Sequence, residues 1–88
     1  MAVDGKYGRV TLEHGNIGED EPVIVFRAND KLLPELLHKY LQLCLAAGSP
    51  DRHLELIKNS YKQIRQWQEA HPDDVKTPTS DASKRWMD

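Results

Sequence analysis

The feature that most constrains this chain is a four-residue turn signal, Gly48-Ser49-Pro50-Asp51, between two long segments of helical character. Glycine readily adopts the left-handed conformation that ends a helix. Ser49 is a preferred N-cap and Pro50 suits the first helical position, while Asp51 places an acid at the positive end of the next helix dipole. The order of these residues predicts a tight connection between two antiparallel helices.

The predicted helical hairpin covers residues 30–71. Asn29 or Asp30 is a suitable cap for the first helix, and Pro34 either lies in its first turns or marks its start. The second helix is expected to run from Pro50 to about His71, because the proline that follows ends it.

Residues 8–28 contain two β-like runs, Arg9–Glu13 and Pro22–Arg27, on either side of a polar linker with two glycines. The first run alternates apolar and polar residues, and the second is continuously apolar from Val23 to Phe26, which is typical of a strand covered on both faces. The pattern predicts a β-hairpin. Since an isolated two-stranded hairpin is only marginally stable, we expect it to pack on the helical pair or to be extended by another chain.

With 88 residues, of which 39% are hydrophobic, the chain has enough apolar side chains for one small core. The expected architecture is therefore a single α+β domain over residues 1–71. Residues 72–88 are polar and lack periodicity, which predicts a flexible tail. Trp86 is the exception, because a large aromatic residue near the end of a tail can dock on a protein surface.

The first helix is apolar around most of its circumference, whereas one antiparallel partner helix covers a stripe of only about 100°. This excess of apolar surface predicts a homo-oligomer, since association is a common way for a short chain to bury its core. The residues predicted to contact a partner are Leu37, Leu41, Leu45, Trp67 and Trp86.

Composition argues against several classes of function. Twelve Lys and Arg residues against fourteen Asp and Glu residues give a net charge of −2, which is unfavourable for a nucleic-acid partner. One cysteine cannot form an intramolecular disulfide, and neither an apolar leader nor a membrane-length apolar stretch is present. A cytoplasmic protein without a membrane partner is expected.

No motif for catalysis accompanies these features. The four histidines are scattered and lack metal-ligand spacing, and Cys44 lies among leucines, where a thiol behaves as a small hydrophobic group. Nucleophile-elbow and phosphate-loop signatures are also missing. We therefore expect no catalytic residue, no metal and no cofactor.

Two groups of cations could bind an anion. Lys58, Lys62 and Arg65 follow one side of the second helix near aromatic residues, an arrangement that suits a nucleotide but also an ordinary solvated face. Near the predicted start of the first helix, Arg27 and Lys31 could bind an anion, or Arg27 could form a salt bridge with Asp30. The predicted ligand-binding residues are Arg27, Lys31, Tyr61, Lys62 and Arg65.

The stretch from Glu21 to Asp30, followed by Pro34 and an apolar helix, resembles small uncharacterised proteins carried by bacterial phages and prophages; the resemblance covers roughly residues 8–48. It implies an accessory protein of the host cytoplasm that acts by binding, either inhibiting a host enzyme or sequestering a nucleotide signal, and it transfers no functional residue. The expected function is non-catalytic capture of a small anionic, nucleotide-like ligand, a role that includes counter-defence by sequestration of that ligand. The alternative is a protein-interaction module that binds a host protein through the first helix or the tail.

Overall fold

The computed structural model describes residues 2–79, which form two compact units. The first contains the described residues up to Phe26 together with Thr79, and the second contains Arg27–Pro78. Strands β1 (Ala2–Asp4), β2 (Gly8–Val10) and β3 (Pro22–Val23) belong to the first unit; helices α1 (Leu33–Ala47) and α2 (Asp51–Ala70) and a 3-10 helix (Pro72–Asp74) belong to the second. The α+β class and the packed helical pair are as predicted.

The three strands form one sheet in the order β2-β1-β3. β1 pairs antiparallel with β2, Ala2 opposite Val10, and parallel with β3, Val3 opposite Pro22. The two β-like runs of the sequence therefore do not pair with each other, and the predicted partner assignment is wrong. The physical reason is local: only Gly5–Tyr7 separate β1 from β2, so this hairpin closes at a smaller entropic cost than one that spans residues 11–21.

Asp4 connects all three strands of this sheet. It is almost fully buried, and its Oδ1 accepts hydrogen bonds from the backbone N–H groups of Lys6 (2.8 Å) and Tyr7 (2.7 Å). Its Oδ2 accepts one from the N–H of Val25 at 2.5 Å, just beyond the end of β3. The donors at Tyr7 and Val25 lower the pKa of Asp4 below 3.8, against the opposing effect of burial, because N–H dipoles favour the carboxylate.

The apolar run after β3 is more exposed than the sequence predicts. Only Pro22 and Val23 are in the ladder, and Ile24 and Phe26 are 76% and 50% exposed. The expectation of a strand covered on both faces is thus wrong for these residues. β3 lies at the edge of the sheet, so it has a neighbouring strand on one side only.

The start of α1 is organised by Asp30. Its Oδ1 accepts the N–H of Leu32 at 2.8 Å, and its carbonyl accepts the N–H of Leu33 at 3.1 Å. Pro34 lies in the first turn of the helix, where the missing proline N–H costs nothing. Asp30 therefore acts two residues before the N-cap position, Leu32, which makes no side-chain capping bond.

The connection between the helices has the predicted glycine. Gly48 has φ 78°, its N–H donates to Leu45 O at 3.2 Å, and the Ser49 N–H donates to Cys44 O at 2.9 Å. This pair of bonds is a Schellman motif. The N-cap of α2 is Pro50, with ψ 151°, in place of the predicted Ser49, because the Pro50 carbonyl accepts the first i+4→i hydrogen bond of the helix, from the N–H of Leu54, at 3.2 Å.

Replacement of Gly48 by Val should lower the stability of the helical unit by about 1–2 kcal/mol, because a Cβ disfavours the left-handed conformation. An added Cβ would meet nothing within 4 Å, so the cost is one of backbone conformation. Thermal and urea unfolding measure it, with Gly48→Asn as the matched control, since asparagine tolerates this region. Equal losses in both variants would contradict the explanation.

The core of the helical unit is small. Cys44, Leu54 and Ile57 are buried together, and Leu37 and Leu41 pack against them. Leu33 is buried at the start of α1, whereas several other leucines of the same helix remain exposed. The helical hairpin thus buries one side of α1 and leaves much of its apolar surface in solvent.

Candidate functional site

The helical unit contains an open concavity of about 390 Å³ beside the last turns of α2. It includes two of the cations selected from the sequence, Lys31 and Arg65. The side chains that line it are Lys31, Arg65, Gln68, Glu69, Pro72 and Val75.

Gln68 builds one wall of the concavity. Its side-chain amide donates to two backbone carbonyls, Ala28 O and Asp30 O, both at 2.9 Å. These two hydrogen bonds, both donated by Nε2, hold the segment that carries Lys31 against α2. Gln68 therefore sets the position of the Lys31 backbone relative to Arg65, because Gln68 and Arg65 lie on the same helix, α2.

The opposite rim comes from the segment after α2. His71 O accepts the N–H of Asp74 at 3.0 Å, which turns the chain back after the helix. Lys76 then joins the 29–31 segment through two backbone bonds, Lys31 N–H to Lys76 O at 2.9 Å and Lys76 N–H to Asn29 O at 3.1 Å. Residues 72–76, assigned to the tail from the sequence, thus have a defined path and bring Pro72 and Val75 to the concavity.

The site combines two cations with one carboxylate. Arg65 Nη2 lies 3.9 Å from Glu69 Oε1, and their side chains are 53% and 73% exposed. An exposed pair of this length contributes little to stability. The Arg65 guanidinium therefore has N–H donors available for an anionic ligand. Such a ligand would compete with the Glu69 carboxylate for them.

The other three predicted ligand residues are not among the side chains that line this concavity. Arg27 and Lys62 are exposed, and Tyr61 is half-buried on α2. Among the described residues Arg27 forms no salt bridge with Asp30, so that alternative is wrong.

The predicted partner-contact residues fall into different environments. Leu37 and Leu41 pack against the buried core of their own chain, whereas Leu45 is 56% exposed. The ring of Trp67 stacks on that of His71, with centroids 4.3 Å apart. Trp86 lies outside the described residues.

Sequence reasoning missed four residues of the concavity: Gln68, Glu69, Pro72 and Val75. A signal existed for the first two, since they follow Arg65 by three and four positions and therefore share its helix face. No local pattern could have indicated the others, because their position depends on the bridge between Lys76 and the 29–31 segment.

Within residues 2–79 no group of three or more His, Cys, Asp and Glu side chains could hold a metal ion. In this part of the chain no helix is both long enough and apolar enough to cross a bilayer. Comparison of the chain with protein-family models, curated proteins and solved structures gave no match.

Proposed function

We propose that the protein is a non-catalytic binding protein that takes up a small anionic, nucleotide-like ligand in the concavity of its helical unit. The observation that carries the proposal is the convergence of Lys31 and Arg65, from separate segments, on one concavity. Lysine supplies a point charge and arginine a planar set of donors, a combination that suits a phosphate or carboxylate group.

Size and lining suggest the rest of the ligand. A volume of about 390 Å³ is at the small end of the range for small-molecule sites. Pro72 and Val75 add an apolar wall, against which a base or another flat ring can pack. A mononucleotide has both parts, an anionic phosphate and a planar body, so it is the preferred ligand class.

Titration with uridine monophosphate and with inorganic phosphate, followed by amide chemical shifts, tests this proposal. We expect the amides of Lys31 and Gln68 to shift, and we expect Lys31→Ala and Arg65→Ala each to weaken binding about tenfold. Glu69→Gln should strengthen binding several-fold by removing the competing carboxylate. Affinity should fall as salt is added, because the charges are exposed.

Lys58→Ala is the matched control. Lys58 is an exposed cation of the same helix, paired with Glu55 at 3.7 Å and outside the lining of the concavity, so its removal should leave the affinity unchanged. The proposal fails if neither compound shifts these amides at millimolar concentration, or if Lys58→Ala weakens binding as much as Arg65→Ala. Binding of phosphate alone would restrict the ligand to simple anions and reject the nucleotide.

A protein-interaction module is the second candidate function, in which α1 or the tail binds a host protein. It is favoured by the exposed leucines of α1, such as Leu43 at 67% and Leu45 at 56%. Removal of residues 80–88 separates the tail-mediated form of this function from ligand capture, because it leaves Val75 and the Lys76 bridge in place. A tail-mediated interaction should disappear in this variant, whereas binding in the concavity should persist.

A further inference from the structure

The apolar surface of the helical hairpin that remains exposed lies mainly on one side. On α1, Leu36, Tyr40 and Leu43 are 41%, 45% and 67% exposed, and on α2 Leu56 is 58% exposed. These four residues are called the leucine face below. A contiguous group of exposed apolar side chains marks an interaction surface more often than the same residues scattered singly over a surface.

Helix geometry places the four residues together. Leu36, Tyr40 and Leu43 follow the spacing i, i+4, i+7, so they share one side of α1. The Tyr40 ring meets the His53 ring of α2 edge-on, with centroids 6.1 Å apart. Leu56 is three positions after His53 and therefore extends the same side of the hairpin onto α2.

The opposite side of the hairpin is different in character. Helical spacing places Lys62 and Arg65 there on α2, together with Leu45 on α1. The concavity of Arg65 and Lys31 belongs to this charged side. A partner on the leucine face would therefore leave the proposed anion site open.

We propose that the leucine face binds a second copy of this chain, with α1 packed antiparallel on the α1 of the partner about a two-fold axis. The charges beside the face support this occupant. Glu35 and Lys39 lie next to it on α1, 4.0 Å apart, with side chains 71% and 66% exposed. When two copies of a helix pack antiparallel about a two-fold axis, the same flank of each helix faces the other. An axis near Leu37 therefore brings Glu35 close to Lys39 of the partner subunit, and Lys39 close to Glu35 of the partner subunit.

The same axis also accounts for Leu56. Because Tyr40 is level with His53 and the helices run in opposite directions, Leu37 of α1 is level with about Leu56 of α2. A two-fold axis at that height brings Leu56 of the two copies together. One symmetry operation thus pairs the charges of α1 and also buries Leu56 of α2. A partner of unrelated sequence would not satisfy both conditions automatically.

The available area predicts a dimer of modest affinity. Half-exposed side chains of this size offer on the order of 100 Å² each, and with their flanking residues they bring a symmetric pair to about 1,000 Å², the lower limit for specific interfaces. The equilibrium should therefore be visible in the micromolar to millimolar range.

Analytical ultracentrifugation of the full chain from about 5 µM to about 1 mM tests this interface. The wild type should pass from monomer to dimer over this range, and Leu36→Glu and Leu56→Glu, which lie nearest the axis, should each weaken the dimer by about tenfold or more. Leu45→Glu is the matched control, since Leu45 is about as exposed as Leu56 but lies on the charged side; it should dimerise like the wild type. Circular dichroism checks that each variant keeps its helices.

A charge exchange tests the register. Glu35→Lys and Lys39→Glu should each weaken the dimer, and the double variant should recover wild-type affinity, because it restores both opposite-charge pairs across the axis. Leu56→Cys should cross-link efficiently with a short bismaleimide, whereas Lys62→Cys should not.

Three results would overturn the proposal: a monomer throughout the concentration range, equal weakening by Leu45→Glu and Leu56→Glu, or a dimer that neither charge variant alters. A dimer that is cross-linked through Lys62→Cys would likewise reject the leucine face as the interface. None of these results depends on ligand binding in the concavity, so the two proposals can fail separately.

Discussion

Replacement of Ile57 by Ala should lower the free energy of unfolding of the helical unit by about 2–4 kcal/mol, the range for loss of a large aliphatic side chain from a core. Ile57 is 6% exposed and packs in a cluster with Cys44 and Leu54. The truncation removes the contacts of this side chain with Cys44 and Leu54, which are two of the few buried residues of the unit. A loss of this size is a large fraction of the stability of a small domain.

Urea unfolding followed by the helical circular dichroism signal measures this effect. Leu45→Ala is the matched control, because it removes the same kind of side chain from a position that is 56% exposed; its effect should stay within about 0.5 kcal/mol. If the two variants lose similar stability, the cluster around Ile57 is not the core of the helical unit. Measurements well below the concentration range of the proposed dimer keep any association out of the comparison.

Substitution of Asp4 by Asn should release the end of β3 from the sheet while it preserves the turn between β1 and β2. Asparagine retains one carbonyl oxygen for the Lys6 and Tyr7 N–H groups, but its NH₂ group cannot accept the bond that Oδ2 accepts from Val25. Amide exchange should therefore quicken at Val25 and change much less at Tyr7. Equal loss of protection at both amides would show that the carboxylate does not hold the two segments separately.

The pH dependence of the wild type follows from the same contacts. The N–H donors at Tyr7 and Val25 hold the pKa of Asp4 below 3.8 in the folded chain, so the folded state favours the carboxylate. The stabilisation is complete well above pH 3.8 and is lost as the pH falls through 3.8 towards the lower folded pKa. The wild type should thus approach the behaviour of Asp4→Asn in acid, and thermal unfolding of both proteins between neutral and acidic pH measures this convergence. A constant difference between them would contradict the assignment.

Part of the candidate site could be predicted from the sequence. Two separate patterns of local charge predict that Lys31 and Arg65 bind an anion. That they line one concavity depends on Gln68, which fastens residues 28–30 to α2. The partner-contact prediction met the same limit, since helical periodicity recognises an apolar residue such as Leu37 but cannot tell whether α2 or another chain covers it.

The sequence by itself determined the two helices and the turn between them, because the groups that start and end a helix are neighbours along the chain: Asp30, Pro34, Gly48 and Pro72 act within one turn of the backbone they influence. Only the tertiary structure decided that β1 is the central strand, that Asp4 binds the N–H of Val25, and that the segment after α2 returns to residues 29–31. Those pairings join residues distant in sequence. They are settled by the balance between loop-closure entropy and the hydrogen bonds gained, and no local pattern records that balance.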